Sequence, residues 1–173
     1  MCRRVGAAVA TMTLLLAAAC GGSSPTSSLT GFGATIAAWN SAHPKGSVYA
    51  GLLAYGPTVA TPQGPMPQFN GVQLQSGRVS QYTEVLRNGT PLAAAKKAAL
   101  ANLPSSAVAK SFIVTTSCAF WNFTSTAVND AVGSPQVAVE LAYDDASGSP
   151  YWMPGNVNTL TFQTGKGSSS DVC

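Results

Sequence analysis

Val72-Gln73-Leu74-Gln75-Ser76-Gly77-Arg78-Val79-Ser80-Gln81-Tyr82-Thr83-Glu84-Val85 alternates in side-chain type on both sides of Ser76-Gly77. Successive side chains of an extended strand point to opposite faces. The alternation therefore predicts two strands joined as a hairpin by a two-residue turn.

The same period of two predicts three more strands further along: about 110 to 123 (Phe112, Val114, Cys118, Phe120), 136 to 143 (Val137, Val139, Leu141, Tyr143) and 158 to 164 (Leu160, Phe162). Two segments show helical spacing instead. Phe32, Ile36 and Trp39 recur behind the capping candidates Ser28 and Thr30, and Pro44 limits continuation, which predicts a helix over about 31 to 42. Thr90-Pro91 reads as an N-cap with proline at the first helical position. Leu92, Ala95, Ala99, Leu100 and Leu103 form the apolar stripe, with Lys96 and Lys97 off it, until Pro104. Residues 56 to 67 carry Pro57, Pro62, Pro65 and Pro67 with Gly56 and Gly64, a composition expected to hold neither helix nor central strand, and read as a recognition loop or a crossover. The economical architecture is an α+β domain, a single antiparallel sheet of about five strands with two helices packed on one face.

The N-terminus reads differently. Arg3 and Arg4 precede a small and apolar run from Val5 to Ala19 that ends at Cys20, followed by Gly21, Gly22 and the Ser/Thr/Pro residues up to Ser28. A basic n-region and an apolar stretch of about 15 residues is signal-peptide anatomy and falls short of the roughly 20 residues of a spanning helix. The expected division is a signal peptide at 1–19, a lipidated cysteine with a flexible tether at 20–29, and one globular domain at 30–173. Of the 173 residues, 46% are apolar and 9% charged, enough for one well-formed core. The formal charge of +3 owes two units to Arg3 and Arg4, so the processed chain is close to neutral and no nucleic-acid partner is expected.

Cys2 leaves with the signal and Cys20 carries the lipid, so the domain keeps Cys118 and Cys173, which in an oxidising envelope read as one disulfide. Free thiols, or an intermolecular bridge through Cys173, are the alternatives. His43 is the only histidine. It stands against Pro44 at a helix C-terminus, where a partly charged imidazole interacts favourably with the helix dipole, a simpler account than membership of a triad. The run Tyr143-Asp144-Asp145-Ala146-Ser147-Gly148-Ser149-Pro150 offers oxygen ligands without the glutamate that completes a calcium loop, and reads as a turn between strands. No zinc spacing, phosphate loop or nucleophile elbow occurs, so neither metal, cofactor nor catalytic residue is assigned. Tyr151, Trp152 and Met153, beside Pro154-Gly155, are the candidate interaction surface, because aromatics in a Pro/Gly connection have little core to enter.

The segment ending Ala17-Ala18-Ala19-Cys20 resembles the lipobox of bacterial lipoproteins, in which a small residue precedes a cysteine thioether-linked to diacylglycerol; Leu16 lies four residues before the cysteine, where the family prefers three. In the rest of the chain, Gly33-Ala34-Thr35 with Ala38-Trp39-Asn40 and His43, Gly77-Arg78-Val79 with Tyr82, Leu103-Pro104, Cys118, Asn156-Val157-Asn158 and Cys173 look like small uncharacterised actinobacterial lipoproteins. The resemblance implies an acylated (palmitate-bearing) protein on the extracytoplasmic side of the cell membrane. The expected role is a non-catalytic binding or interaction module of the cell envelope, with the membrane as partner through the anchor and an envelope protein or small ligand as the second partner. The alternatives are a carrier of lipids or hydrophobes and a small envelope hydrolase using His43 or Asp144-Asp145.

Overall fold

The computed structural model describes residues 29–61, 64–115, 117–143 and 156–168. In chain order the elements are α1 (Ile36–Ala42), β1 (Lys45–Tyr49), β2 (Leu52–Thr61), β3 (Gly64–Gln75), β4 (Arg78–Pro91), α2 (Leu92–Ala101), β5 (Val108–Val114), β6 (Cys118–Thr124), α3 (Thr126–Val132), β7 (Gln136–Tyr143) and β8 (Asn156–Thr164). All eight strands pair antiparallel in one sheet of order β1-β2-β3-β4-β8-β7-β6-β5. The expectation of about five strands and two helices is therefore corrected to eight strands and three short helices among the described residues.

The hairpin over 72 to 85 forms as read. Ser76 and Gly77, at φ 52 and 73, make the tight turn whose twist matches that of the flanking strands. The correction comes from its surroundings. The proline-rich stretch is itself a hairpin, with Thr58 paired to Pro67 and Ala60 to Pro65. β1 pairs with β2 no further than Tyr55, and β4 pairs with β3 no further than Phe69, so beyond those points β2 and β3 are a two-stranded ribbon. Proline is tolerated there because few ladder bonds are lost. The single strand expected over 110 to 123 is a second hairpin, β5–β6, whose turn at Thr115 to Ser117 contains neither glycine nor proline. α1 is shorter than expected and is capped by Thr35, whose Oγ1 accepts from Ala38 N at 3.2 Å. α3 was not expected. Ser125 caps its N-terminus and Gly133, at φ 75, ends it in the left-handed conformation.

Sheet register sorts the side chains. Tyr82, Phe162, Val139 and Trp121 form one cross-strand row on the face that the helices cover. Trp39 of α1, Ala95 and Ala99 of α2, and Val128 and Val132 of α3 join them in one core. Trp39 is its centre, 4.7 Å from the Tyr82 ring, 5.8 Å from Tyr55 and 5.7 Å from Phe69, while Tyr82 stacks on Phe162 at 4.6 Å. Such aromatic pairs contribute about 0.5–1.5 kcal/mol each beyond area burial. In α2, Leu100 is half exposed instead of joining the stripe, and Lys96 is not simply solvated: its Nζ sits 3.7 Å above the Phe112 ring. Among the described residues no helix is long and apolar enough to cross a membrane.

Candidate functional site

The row next to Tyr82–Phe162 faces the other way, and it is polar. Asn70, Thr83, Thr161 and Glu140 lie side by side across β3, β4, β8 and β7, and Gln73, Gln81 and Gln163 form a parallel row two residues along β4 and β8 and, across a register shift, three along β3. Strand alternation demands this, since each neighbour of an inward apolar residue points outward. Thr83 and Thr161 hydroxyls meet at 3.1 Å. Gln81, Thr83, Thr159, Thr161 and Gln163 are half-buried, as expected of flat neighbours on a sheet that no described helix covers. On β3, β4 and β8 these side chains are amides and hydroxyls, which each donate and accept, so that part of the face can pair with an uncharged polar surface, while Glu140 on β7 adds a carboxylate at its edge.

Towards β6 the same face is closed by the chain itself. Gly165 N donates to Gln136 O at 3.0 Å, Gly167 N donates to Asn122 Oδ1 at 2.8 Å, and Asn122 Nδ2 donates back to Gly167 O at 3.0 Å. This reciprocal pair lays residues 165–168 over β6, with Phe120 and Asn122 buried beneath. A side chain at Gly167 would meet the Phe120 ring, with a Cβ only 2.6 Å from Phe120 Cγ. Cys118, on the same face of the same strand, is fully buried and disulfide-bonded.

The covered face holds a second polar group that sequence reading missed. Glu84, 6% exposed, accepts from Gln68 Nε2 at 3.2 Å and from Asn102 Nδ2 at 2.9 Å, and burial holds its carboxyl above the ordinary range. Its place beside Leu160 and Phe69 depends on the strand order, and its partners come from the proline-rich ribbon and the end of α2, so neither was legible in the sequence. His43 caps α1, its Nδ1–H donating to Trp39 O at 3.2 Å, and lies 4.0 Å from the Trp39 ring and 4.5 Å from Phe69. Burial lowers its pKa, so the imidazole packs neutral between aromatic rings. The ring does stand at the C-terminus of α1, as expected, but burial works against the partial charge that a contact with the helix dipole would need. Trp39 Nε1 and Tyr82 Oη are buried with no hydrogen-bond partner among the described residues, and burial, with Glu84 nearby, drives the Tyr82 phenol well above its usual pKa.

No family model, curated protein or solved structure matches the chain.

Of the residues singled out from sequence, Cys20, Asp144, Asp145, Tyr151, Trp152, Met153 and Cys173 lie outside the described residues. The motif fragments within them do converge. Gly33 N donates to Val79 O at 2.8 Å, Val79 N to Ala34 O at 2.9 Å, and Arg78 Nη1 to Gly33 O at 3.2 Å, so Gly33-Ala34-Thr35 continues the sheet beside the start of β4. Among the described residues no three of His, Cys, Asp and Glu gather into a group that could hold a metal. The cavities lie at the rim. One of about 310 Å³ is lined by Ser106, Val108, Thr124 to Thr126, Asn129 and Pro135, and another of about 150 Å³ by Leu29 to Phe32 and Ala101 to Ser105.

Proposed function

We propose that this chain is a lipid-anchored domain of the bacterial cell envelope, cut before Cys20, acylated there, and displayed outside the cytoplasmic membrane as a non-catalytic binding module. The observation that carries the reading is the order Arg3-Arg4, apolar run, Ala19-Cys20 and Gly/Ser-rich tether. The disulfide at Cys118 supports it, because structural disulfides persist in oxidising compartments. The binding surface of this reading is the amide and hydroxyl face of β3, β4 and β8, offered to an uncharged polar partner such as a glycan or a peptide backbone.

Fractionation tests the anchor. Cys20→Ala is expected to release the protein from membranes or to leave the unprocessed precursor, because stable anchoring takes two or more acyl chains and the substituted residue can carry none. Mature, membrane-bound Cys20→Ala protein would end the reading.

A further inference from the structure

We propose that the β1–β2 hairpin tip inserts into the lipid interface and fixes the orientation of the domain on the membrane. Val48, Tyr49, Leu52 and Leu53 are 65%, 40%, 53% and 42% exposed. The turn between them, Ala50-Gly51 at φ 48 and 79, sets Tyr49 opposite Leu52 and Val48 opposite Leu53. Successive side chains of a strand face opposite ways, so one of these pairs lies on each side of the ribbon. A ribbon in water has one face for the core and one for solvent; beyond Ala54 and Tyr55, which reach the core, the tip of this one is apolar on both faces and buries neither. Its one charged residue, Lys45, stands at the base of β1.

Position selects the occupant. Strand directions place the Ala50-Gly51 turn at the same end of the sheet as the Ser76-Gly77 turn and the start of β4. Leu74, 49% exposed, and Val108, 55% exposed, stand at that end as well. The N-terminal segment arrives there too: Gly33, Ala34 and Thr35 pair with Arg78 and Val79, and Leu29 packs beside Gly33. From Leu29 back to Cys20 are nine residues, a reach of about 30 Å at most. An acyl chain on Cys20 therefore keeps this end, with its exposed apolar residues, within about 30 Å of the bilayer. Tyrosine beside aliphatic residues is the composition of membrane-interface anchors. The inference rests on the reading of Cys20 as lipidated.

The test places a reporter at the tip. Full-length chain carrying Tyr49→Trp is purified from membranes and reconstituted in phosphatidylglycerol–phosphatidylethanolamine vesicles containing lipid brominated near the headgroup. Asn88→Trp, an exposed site toward the opposite end of β4, serves as reference. Against the unsubstituted protein, the fluorescence added at 49 should be largely quenched and that added at 88 should not. Adding Leu52→Asp and Leu53→Asp should abolish the quenching at 49 while the chain still floats with the vesicles. Equal exposure of both reporters to water on vesicle-bound protein overturns the inference and leaves the anchor standing, as does shielding at 49 in lipid-free protein that grows with concentration, which assigns the tip to a second copy. Mass spectrometry of the N-terminal peptide decides the anchor separately. If no lipid is found on Cys20, the same protein added to vesicles still decides the tip: quenching at 49 sustains it and its absence ends it.

Discussion

At the residue scale, Glu84 decides more than its single charge suggests. Its carboxylate ties β4 to the proline-rich ribbon through Gln68 and to the end of α2 through Asn102. Glu84→Ala leaves both amides facing a void and is expected to cost about 1–3 kcal/mol at pH 7, read from the urea midpoint. Glu84→Gln separates charge from shape. A carboxyl whose pKa is raised on folding contributes stability that is fully present below its unfolded value and is lost as the pH rises through its folded one. The stability difference between Glu84→Gln and the natural protein should therefore move in favour of glutamine from pH 4 to pH 7; a gap independent of pH would show that the side chain does not titrate differently in the fold. His43 runs in the opposite direction. Its lowered pKa gives stability present above the ordinary histidine value near 6.5 and lost as the pH falls through the folded one. The sequence showed where both residues sit along their elements; that each would be enclosed depends on Gln68, Asn102, Trp39 and Phe69, all brought in by other segments.

At the element scale, legibility followed periodicity. β7 and β8 were readable because their inward positions are large and apolar and their outward ones are not, and β3–β4 because Ser76-Gly77 supplies the turn. The β2–β3 ribbon was hidden by Pro57, Pro65 and Pro67, which are excluded from central strands and fit here only because neighbours stop short of them. α3 carried its signals in Ser125 and Gly133, but seven residues between two strands give too little period to outvote them. The closing segment 165–168 was invisible, since it has no periodic pattern and owes its place to Asn122. Gly167→Ala tests that placement. The added methyl forces Phe120 or the segment to shift, an overpacking expected to cost about 1–3 kcal/mol. Hydrogen exchange should locate the loss at residues 165–168 and β6; unchanged protection there would mean that the segment does not rest on Phe120.

At the scale of the whole molecule, the closing segment also points to the partner of Cys118. Asn122, Phe120 and Cys118 stand at alternate positions of β6, and a chain pinned at Asn122 by Gly167 has six residues left to Cys173, enough to cover the roughly 13 Å of strand back to Cys118. A non-reduced digest is expected to yield a Cys118–Cys173 linked peptide, and its reduction to lower stability by roughly 4 kcal/mol in the chain-entropy model for a loop of about 55 residues; separately alkylated cysteines would end this assignment. The polar sheet face was readable in outline, residue by residue, whereas its extent required the strand order. That order has a kinetic meaning. β1 to β4 and β5 to β8 are two meanders of consecutive neighbours, and they meet only along β4–β8, where Thr83 and Thr161 are 78 residues apart. Local hairpins close cheaply and a junction that distant does not, so each half should gain structure before the two zip together. Phe162→Leu, at the junction, should steepen the loss of native protein by speeding unfolding while leaving the refolding limb of the chevron nearly unchanged. A refolding rate slowed in proportion to the lost stability would instead make the junction the nucleus.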